Sequence, residues 1–442
     1  MYDEAVKQVQ GELRETPHVS LTTDLWTSRQ TRGFITVTAH YINSEWNLKS
    51  AVLETARLKV DHTAENIADE LKRICTLWEI LDKECCITDN AANIVAAVTK
   101  YMKIKQQPCF AHTLNLVVQD SIKNTNEIKL SQEKIKRIVS FFHHSVKATD
   151  KLSEIQNQNG VEKKKLIMDV DTRWNSTFYM MERFLEQHEA ITTTLCLLGK
   201  GNMCLSSEEL EVVKGAVLLL GPFEEATREM STENFTSLSK VIPITRALQQ
   251  CINSNAHMSA GFGTELQKQL QKRFATVEKV FQLGAATLLD VRFKKVSFVD
   301  MGNVKVTEER IMNLMRSEYS QEEINESVPV PHVSQSSETE SHINEVQAKR
   351  GSLWQCFDAK VETTMKSQRL TSIGPHIELR RYLEEPIIPR DEDPLKWWKM
   401  DSVLFPKLHA LAKKFLCIPA TSVPSERLFF RKQELISHRR SA

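Results

Sequence analysis

Two carboxylates stand where they could do chemistry. The stretch CCITDNAANI (85–94) runs from apolar Cys85, Cys86 and Ile87 straight into Asp89 and Asn90, and Ala91-Ala92 then opens a helical pattern. Asp89 has two readings. As an N-cap it accepts a backbone N–H at the helix start. As a ligand it is held at a strand tip to grip a metal ion. HVSLTTDLWTS (18–28) repeats the theme, with Asp24 set in strand-like sequence. Converging carboxylates repel each other unless a cation sits between them. Mg²⁺ suits such an oxygen pair, and two such ions about 4 Å apart stabilise both the attacking and the leaving oxygen of an in-line phosphoryl displacement. A third acid completes such a set, and composition cannot pick it out of 57 acidic residues.

The elements that must position these groups read as mixed α/β. GFITVTAHYI (33–42) alternates and is rich in β-branched residues, and WNLKSAVLETARLK (46–59) follows it after a short turn, as in an antiparallel meander. TAENIADELKRICTLWEI (63–80) has helical spacing with Thr63 as N-cap. ECCITD then returns as a strand and NAANIVAAVTKYM as a helix. Three antiparallel strands, a helix and a further strand are the order of an RNase H-like sheet, in which the strands of Asp24 and Asp89 are neighbours.

Helical periodicity dominates after residue 108, except that KKLIMDVDTRW (164–174) could supply one more strand. It continues from about 205 to 295, with Ser206 or Ser207 as a cap followed by Glu208 and Glu209. Residues 301–348 turn rich in Ser and Glu and lose their period, which reads as a disordered loop.

The 442 residues suffice for two or three domains. No apolar run approaches a membrane span, and the polar start carries no signal-peptide core. Nine scattered cysteines fit reduced thiols of the cytosol or nucleus better than a disulfide framework. A net charge of +1 leaves any DNA contact to local basic runs such as EKKKL (162–166), RFKK (292–295) and SHRR (437–440), each equally readable as a solvated face. Cys109 and His112 form C-x2-H, half of a zinc site, so no zinc is expected.

Six segments in order resemble the hAT superfamily of transposases, in its BED-zinc-finger branch. They are LTTDLWTS (21–28), ITDNAANI (87–94), PCFAHTLNLVV (108–118), DTRWNST (171–177), LLDVRFK (288–294) and the DPLKWWKM…PSERLFF region (393–430). The resemblance implies an RNase H-like core over 1–200, a helical insertion domain over 201–385 and a C-terminal dimerisation region over 386–442 that completes the core. It implies a catalytic, metal-holding set of Asp24, Asp89 and Glu426 with Mg²⁺ or Mn²⁺, used in DNA strand cleavage and transfer. Read alone, Glu426 is an acid in the first turn of a helix after Pro424. The resemblance further implies DNA contacts through Trp174, Arg173 and His112, with Trp174 stacking on a base; read alone, Trp174 is a core aromatic. It implies self-association through Trp397, Trp398, Leu404, Leu408, Leu411 and Phe415, which could equally form an ordinary core. The expected partners are DNA and a second copy, with no membrane and no small-molecule substrate, in the nucleus.

Three departures temper that expectation. Only about 20 residues precede Asp24, so no BED finger is expected; Phe430-Arg431-Lys432-Gln433 replaces the family's pattern; and the sequence stops at Ala442 before a final Leu-rich helix. A non-catalytic, transposon-derived nuclear protein, acting by dimerisation and chromatin association in transcription regulation, is the competing expectation.

Overall fold

Alternating β-branched residues let GFITVTAHYI pack both faces of a pleated strand, and it forms the middle of the antiparallel half of the sheet. The computed structural model describes residues 2–28, 31–80, 85–231, 235–255, 259–325 and 374–423. Five strands, β1 (Ser20–Thr27), β2 (Gly33–Ile42), β3 (Leu48–Leu58), β4 (Cys86–Thr88) and β5 (Gln106–Pro108), lie in the order β3-β2-β1-β4-β5. β1 pairs antiparallel with β2, and β2 with β3. β4 runs parallel to both β1 and β5. This is the mixed sheet with three antiparallel strands first that the sequence implies.

Helices α1 (Tyr2–Glu15), α2 (Ala64–Leu77) and α3 (Ala92–Ala96) cover one face. There Leu21, Ile35, Val37 and Ala39 pack with Ile67, Leu71, Ile74 and Ile94, all buried. Thr63 caps α2 by accepting the Asn66 N–H, as its position suggests. The other face is different in kind. Ser20, Thr22, Thr36, Thr38 and His40 line it, all buried and all polar.

Ten helices follow: α4 (Phe110–Asn124), α5 (Asn126–His144), α6 (Val146–Gln158), α7 (Trp174–Glu186), α8 (His188–Leu197), α9 (Ser207–Met230), α10 (Val241–Asn255), α11 (Ala260–Phe274), α12 (Phe281–Leu289) and α13 (Met301–Asn325). Ser206 caps α9 in a full capping box with Glu209. Two sequence expectations are corrected. Residues 301–325 are helical rather than a loop, because Val304, Thr307, Ile311 and Met315 bury a stripe at helical spacing; the rest of the expected loop, 326–348, lies outside the described residues. Residues 164–170 form no strand either. Their carbonyls are taken by side chains of neighbouring helices: Lys164 by Gln156, Lys165 by Arg183 and Leu166 by His143. A ladder partner is therefore not needed.

Helices α14 (Pro375–Glu384), α15 (Pro394–Asp401) and α16 (Pro406–Leu416) close over α12. Trp398, fully buried, donates its indole N–H to the Leu289 carbonyl at 2.9 Å, and the Tyr382 hydroxyl donates to the Leu288 carbonyl at 3.1 Å. Trp46, in the β2–β3 turn, stacks parallel to Trp398 and receives the Lys413 ammonium over its ring. Truncating a tryptophan in such a place costs on the order of 3–5 kcal/mol.

LLDVRFK proves to be a buried polar knot. Arg292 forks onto both oxygens of Asp290 at 2.9 and 2.6 Å, Ser239 donates to Asp290, and the Lys294 ammonium donates to the carbonyls of Tyr382 and Glu385. Arg292 and Lys294 are buried, and Lys295, the half-exposed cation of the RFKK run, is paired with Glu308 at 2.6 Å. Among the described residues no helix is long and apolar enough to cross a membrane.

Candidate active site

Strand register decides which side chains meet. In the parallel β1–β4 ladder Leu21 pairs with Cys86 and Thr22 with Ile87, partners 65 residues apart. Asp24 and Asp89 are separated by the same 65 residues and lie two positions beyond the last pair of this ladder. Side chains alternate between faces. Leu21 and Cys86 belong to the core under α1–α3, and Ile87 to the core of the other face. Asp24 shares parity with Thr22 within β1 and so faces the polar side of the sheet. Neighbouring strands lie about 4.8 Å apart. Two carboxylates brought to such a spacing would repel by roughly 3 kcal/mol at an effective dielectric of 20, which a cation between them would offset.

Asp89 follows the last residue of β4, and its Oδ1 accepts the Ala91 N–H at 3.1 Å. The capping reading is therefore met locally, as an Asx turn. Asp24 is half-buried opposite Thr36 of β2. Beyond it Trp26 stacks on Phe34 with centroids 4.4 Å apart and donates its indole N–H to Thr36. Trp26 is a partly exposed aromatic on the Asp24 side of the strand that sequence reading missed, although its i+2 spacing from Asp24 marks it.

The C-terminal segment returns to this corner. Phe110 N–H donates to the Ala420 carbonyl at 2.8 Å, Ala420 N–H to Ser237 Oγ at 2.9 Å, and Ser422 N–H to Cys109 Sγ at 3.4 Å. Cys109 N–H in turn donates to the carbonyl of Thr88, the neighbour of Asp89. Cys109 is thus a buried thiol that fixes the returning chain. Ser237, unmarked in the sequence, does the same. Glu426 lies outside the described residues, as does the SHRR run. A cavity of about 330 Å³ opens beside Asn90, lined among others by Gln106, Gln107, Phe110, Arg273 and Ala420.

The remaining site expectations divide. His112 is half-buried in the first turn of α4, whose start abuts the end of β4. Arg173 is exposed just before α7. Trp174 is corrected: it is 2% exposed, its backbone N–H donating to Asn115 Oδ1 and its ring tilted against Phe178, so it offers no open face to a base. Trp398, Leu408, Leu411 and Phe415 are also corrected as partner contacts, since this chain's own core buries all four. Trp397 is half-buried and Leu404 is 42% exposed. Among the described residues no group of three or more His, Cys, Asp or Glu could hold a metal ion.

Known families match this geometry. A model of the ZBED1 RNase-like domain matches residues 22–114, one of the ZBED1 RNase-like helical domain matches 107–217, and one of the hAT family C-terminal dimerisation region matches 378–442. The chain belongs to the hAT superfamily. It is a transposase-like member with an RNase-like domain and a dimerisation region. Zinc finger BED domain-containing protein 4 of Homo sapiens is 28% identical over 445 residues, covering 97% of this chain and 36% of its own length. Zinc finger BED domain-containing protein RICESLEEPER 3 of Oryza sativa subsp. japonica is 28% identical over 439 residues, 92% of this chain and 56% of its own length. Zinc finger BED domain-containing protein 6 of Mus musculus is 26% identical over 479 residues, 97% of this chain and 48% of its own length. The hAT chain thus spans between about a third and somewhat over half of these relatives.

One titratable group shares the polar face with the acids. His40 is buried and its Nε2 lies 3.0 Å from Thr22 Oγ1. Burial pushes its pKa down from 6.5 to about 3. The unfolded chain therefore takes up this proton first on acidification. Stability from this group is intact above about pH 6.5 and is lost towards pH 3 at up to about 1.4 kcal/mol per pH unit. Between pH 6.5 and 5, where carboxylates contribute little, wild type should lose about 2 kcal/mol more than His40→Gln in urea denaturation. Parallel slopes for the two proteins would rule out the neutral buried imidazole.

Proposed function

We propose that the hAT chain is a DNA-cleaving and strand-transferring core in which Asp24, Asp89 and Glu426 hold Mg²⁺ or Mn²⁺. The observation that supports this reading is the β1–β4 register: the two aspartates share the 65-residue offset of its paired residues and follow them by two positions in each strand's direction. The donor set suits a hard cation, since carboxylate oxygens are the ligands such an ion takes. The tether to the third acid supports it too. Ser422 is bonded to Cys109, and four residues of chain reach from there to Glu426, at most about 14 Å.

A pair of divalent ions, once bound, supplies charge stabilisation for the attacking and leaving oxygens of phosphoryl transfer, first with water and then with a 3′-hydroxyl as nucleophile. The chain's own groups do the rest. Asp24 is carried by the β1–β2 ladder and Asp89 by the turn that follows β4. On this reading His112 at the start of α4 and exposed Arg173 meet phosphate, and Trp26 takes the base-stacking part first given to Trp174. DNA is the partner, and the nucleus the place where it is met.

Self-association has its own support. Within the stretch matched by the dimerisation model, Met400, Val403 and Leu404 are 82, 87 and 42% exposed at the α15–α16 turn. These three, with the half-buried Trp397, are the apolar side chains there that the chain's own core leaves for a second copy. This reading stands whether or not the acids are active, and it suits a chromatin-associated role without catalysis.

The purified chain should nick DNA carrying hairpin-forming ends only with Mg²⁺ or Mn²⁺. Asp24→Asn or Asp89→Asn should lower that rate by roughly 100-fold or more. The same substitutions should raise the melting temperature in EDTA and abolish its rise on adding Mg²⁺. Wild-type nicking by Asp89→Asn would remove these acids from the reaction.

In light scattering at micromolar concentration the chain should form dimers, and Val403→Asp should shift it to monomer. An unchanged dimer in Val403→Asp would move the interface elsewhere.

A further inference from the structure

Two thiols meet outside the site just described. Helix α8 ends in a left-handed Gly199 at φ +67°, with Lys200 N–H donating to the Leu195 carbonyl at 2.8 Å and Gly199 N–H to the Cys196 carbonyl at 3.0 Å. That pairing reverses the chain. A tight turn then follows, Met203 N–H donating to Lys200 and Cys204 N–H to Gly201. The result lays Cys204 back along α8, its Sγ 4.0 Å from the carbonyl of Thr192, one helical turn before Cys196. Cys196 Sγ lies over Gly201, 3.6 Å from where a β-carbon would stand.

Their surroundings differ in a useful way. Cys196 is exposed and Cys204 is half-buried. Burial, and then the neighbouring Cys196, hold the Cys204 thiol above its ordinary pKa, while the Lys134 ammonium works in the opposite direction. Lys134 is itself anchored to Glu209 of the α9 capping box at 2.6 Å. Five of the other cysteines are buried.

We propose that Cys196 and Cys204 form a reversible disulfide when the chain meets a peroxide. The exposed Cys196 sulfur attacks one peroxide oxygen, the O–O bond breaks, and Cys196 becomes a sulfenic acid with release of one water. Cys204 sulfur then attacks the Cys196 sulfur, the S–O bond breaks, and a second water leaves with the Cys204 proton. Two thiols lose two electrons and one peroxide becomes two waters. The bond closes a nine-residue ring and pins the end of α8 to the entry of α9, so the redox state sets how firmly that helical corner is held. A thiol reductant such as glutathione restores the open form.

Trypsin cuts after Lys200, between the two cysteines. After a hydrogen peroxide pulse on the full chain and alkylation of remaining thiols, the peptide ending at Lys200 and the one beginning at Gly201 should be recovered joined, from monomer, and should separate on reduction. Cys204→Ser should instead accumulate Cys196 sulfenic acid, trapped by dimedone several-fold more than in wild type. Recovery of both residues alkylated while other cysteines are oxidised would overturn the proposal. So would a Cys196 bond to any cysteine but Cys204, or dimedone trapping unchanged by Cys204→Ser.

Discussion

β1 and β4 share only a short parallel ladder, yet the placement of every group at the site depends on it. Leu21 N–H donates to the Cys85 carbonyl and Cys86 N–H to that of Lys105, both at 2.9 Å, which locks β4 between β1 and β5. A slip of one residue would turn Asp89 to the face covered by α1–α3, into a core of Ile67, Leu71 and Ile74. That exchange would bury a charge among aliphatic side chains at a cost far above the worth of a few ladder bonds. The apolar alternation of β1 and β4 therefore fixes the register, on which the proposed meeting of the two carboxylates rests.

The second dependence is on chain that is remote in sequence. Residues 374–423 return to pack Trp398 on α12 and deliver Ala420 and Ser422 to the start of α4. The anchors are small polar groups, Ser237 and Cys109, backed by the Asp290–Arg292 knot that ties the end of α12 to Ser239 and Thr236. Breaking one partner of such a buried pair leaves the other charged and unpaired, which is why the knot holds its corner rigidly. The helical part of the molecule thus frames the corner where the sheet ends.

Legibility followed physical locality. The strands of β2 and β3, the Thr63 cap and the Ser206–Glu209 capping box are written in adjacent residues and were readable. That the strands carrying Asp24 and leading to Asp89 are neighbours was readable because strand order constrains it. What failed depended on partners far along the chain. KKLIMDV looks like a strand because its apolar residues are bulky, but Gln156, Arg183 and His143 satisfy its carbonyls from helices. The buried stripe of α13 was masked by the Ser- and Glu-rich composition downstream. Trp174 and four of the proposed interface residues fell to the core because burial is a tertiary property that residue type alone does not decide. Ser237 and Trp26 carry no signal beyond ordinary residue types.

Crystals of the chain soaked in MnCl2 test the central claim most directly, through anomalous scattering from manganese. The account predicts a peak between β1 and β4 within coordinating distance of carboxylate oxygens from both Asp24 and Asp89. Manganese bound elsewhere, with the two carboxylates turned to opposite faces of the sheet, would contradict it.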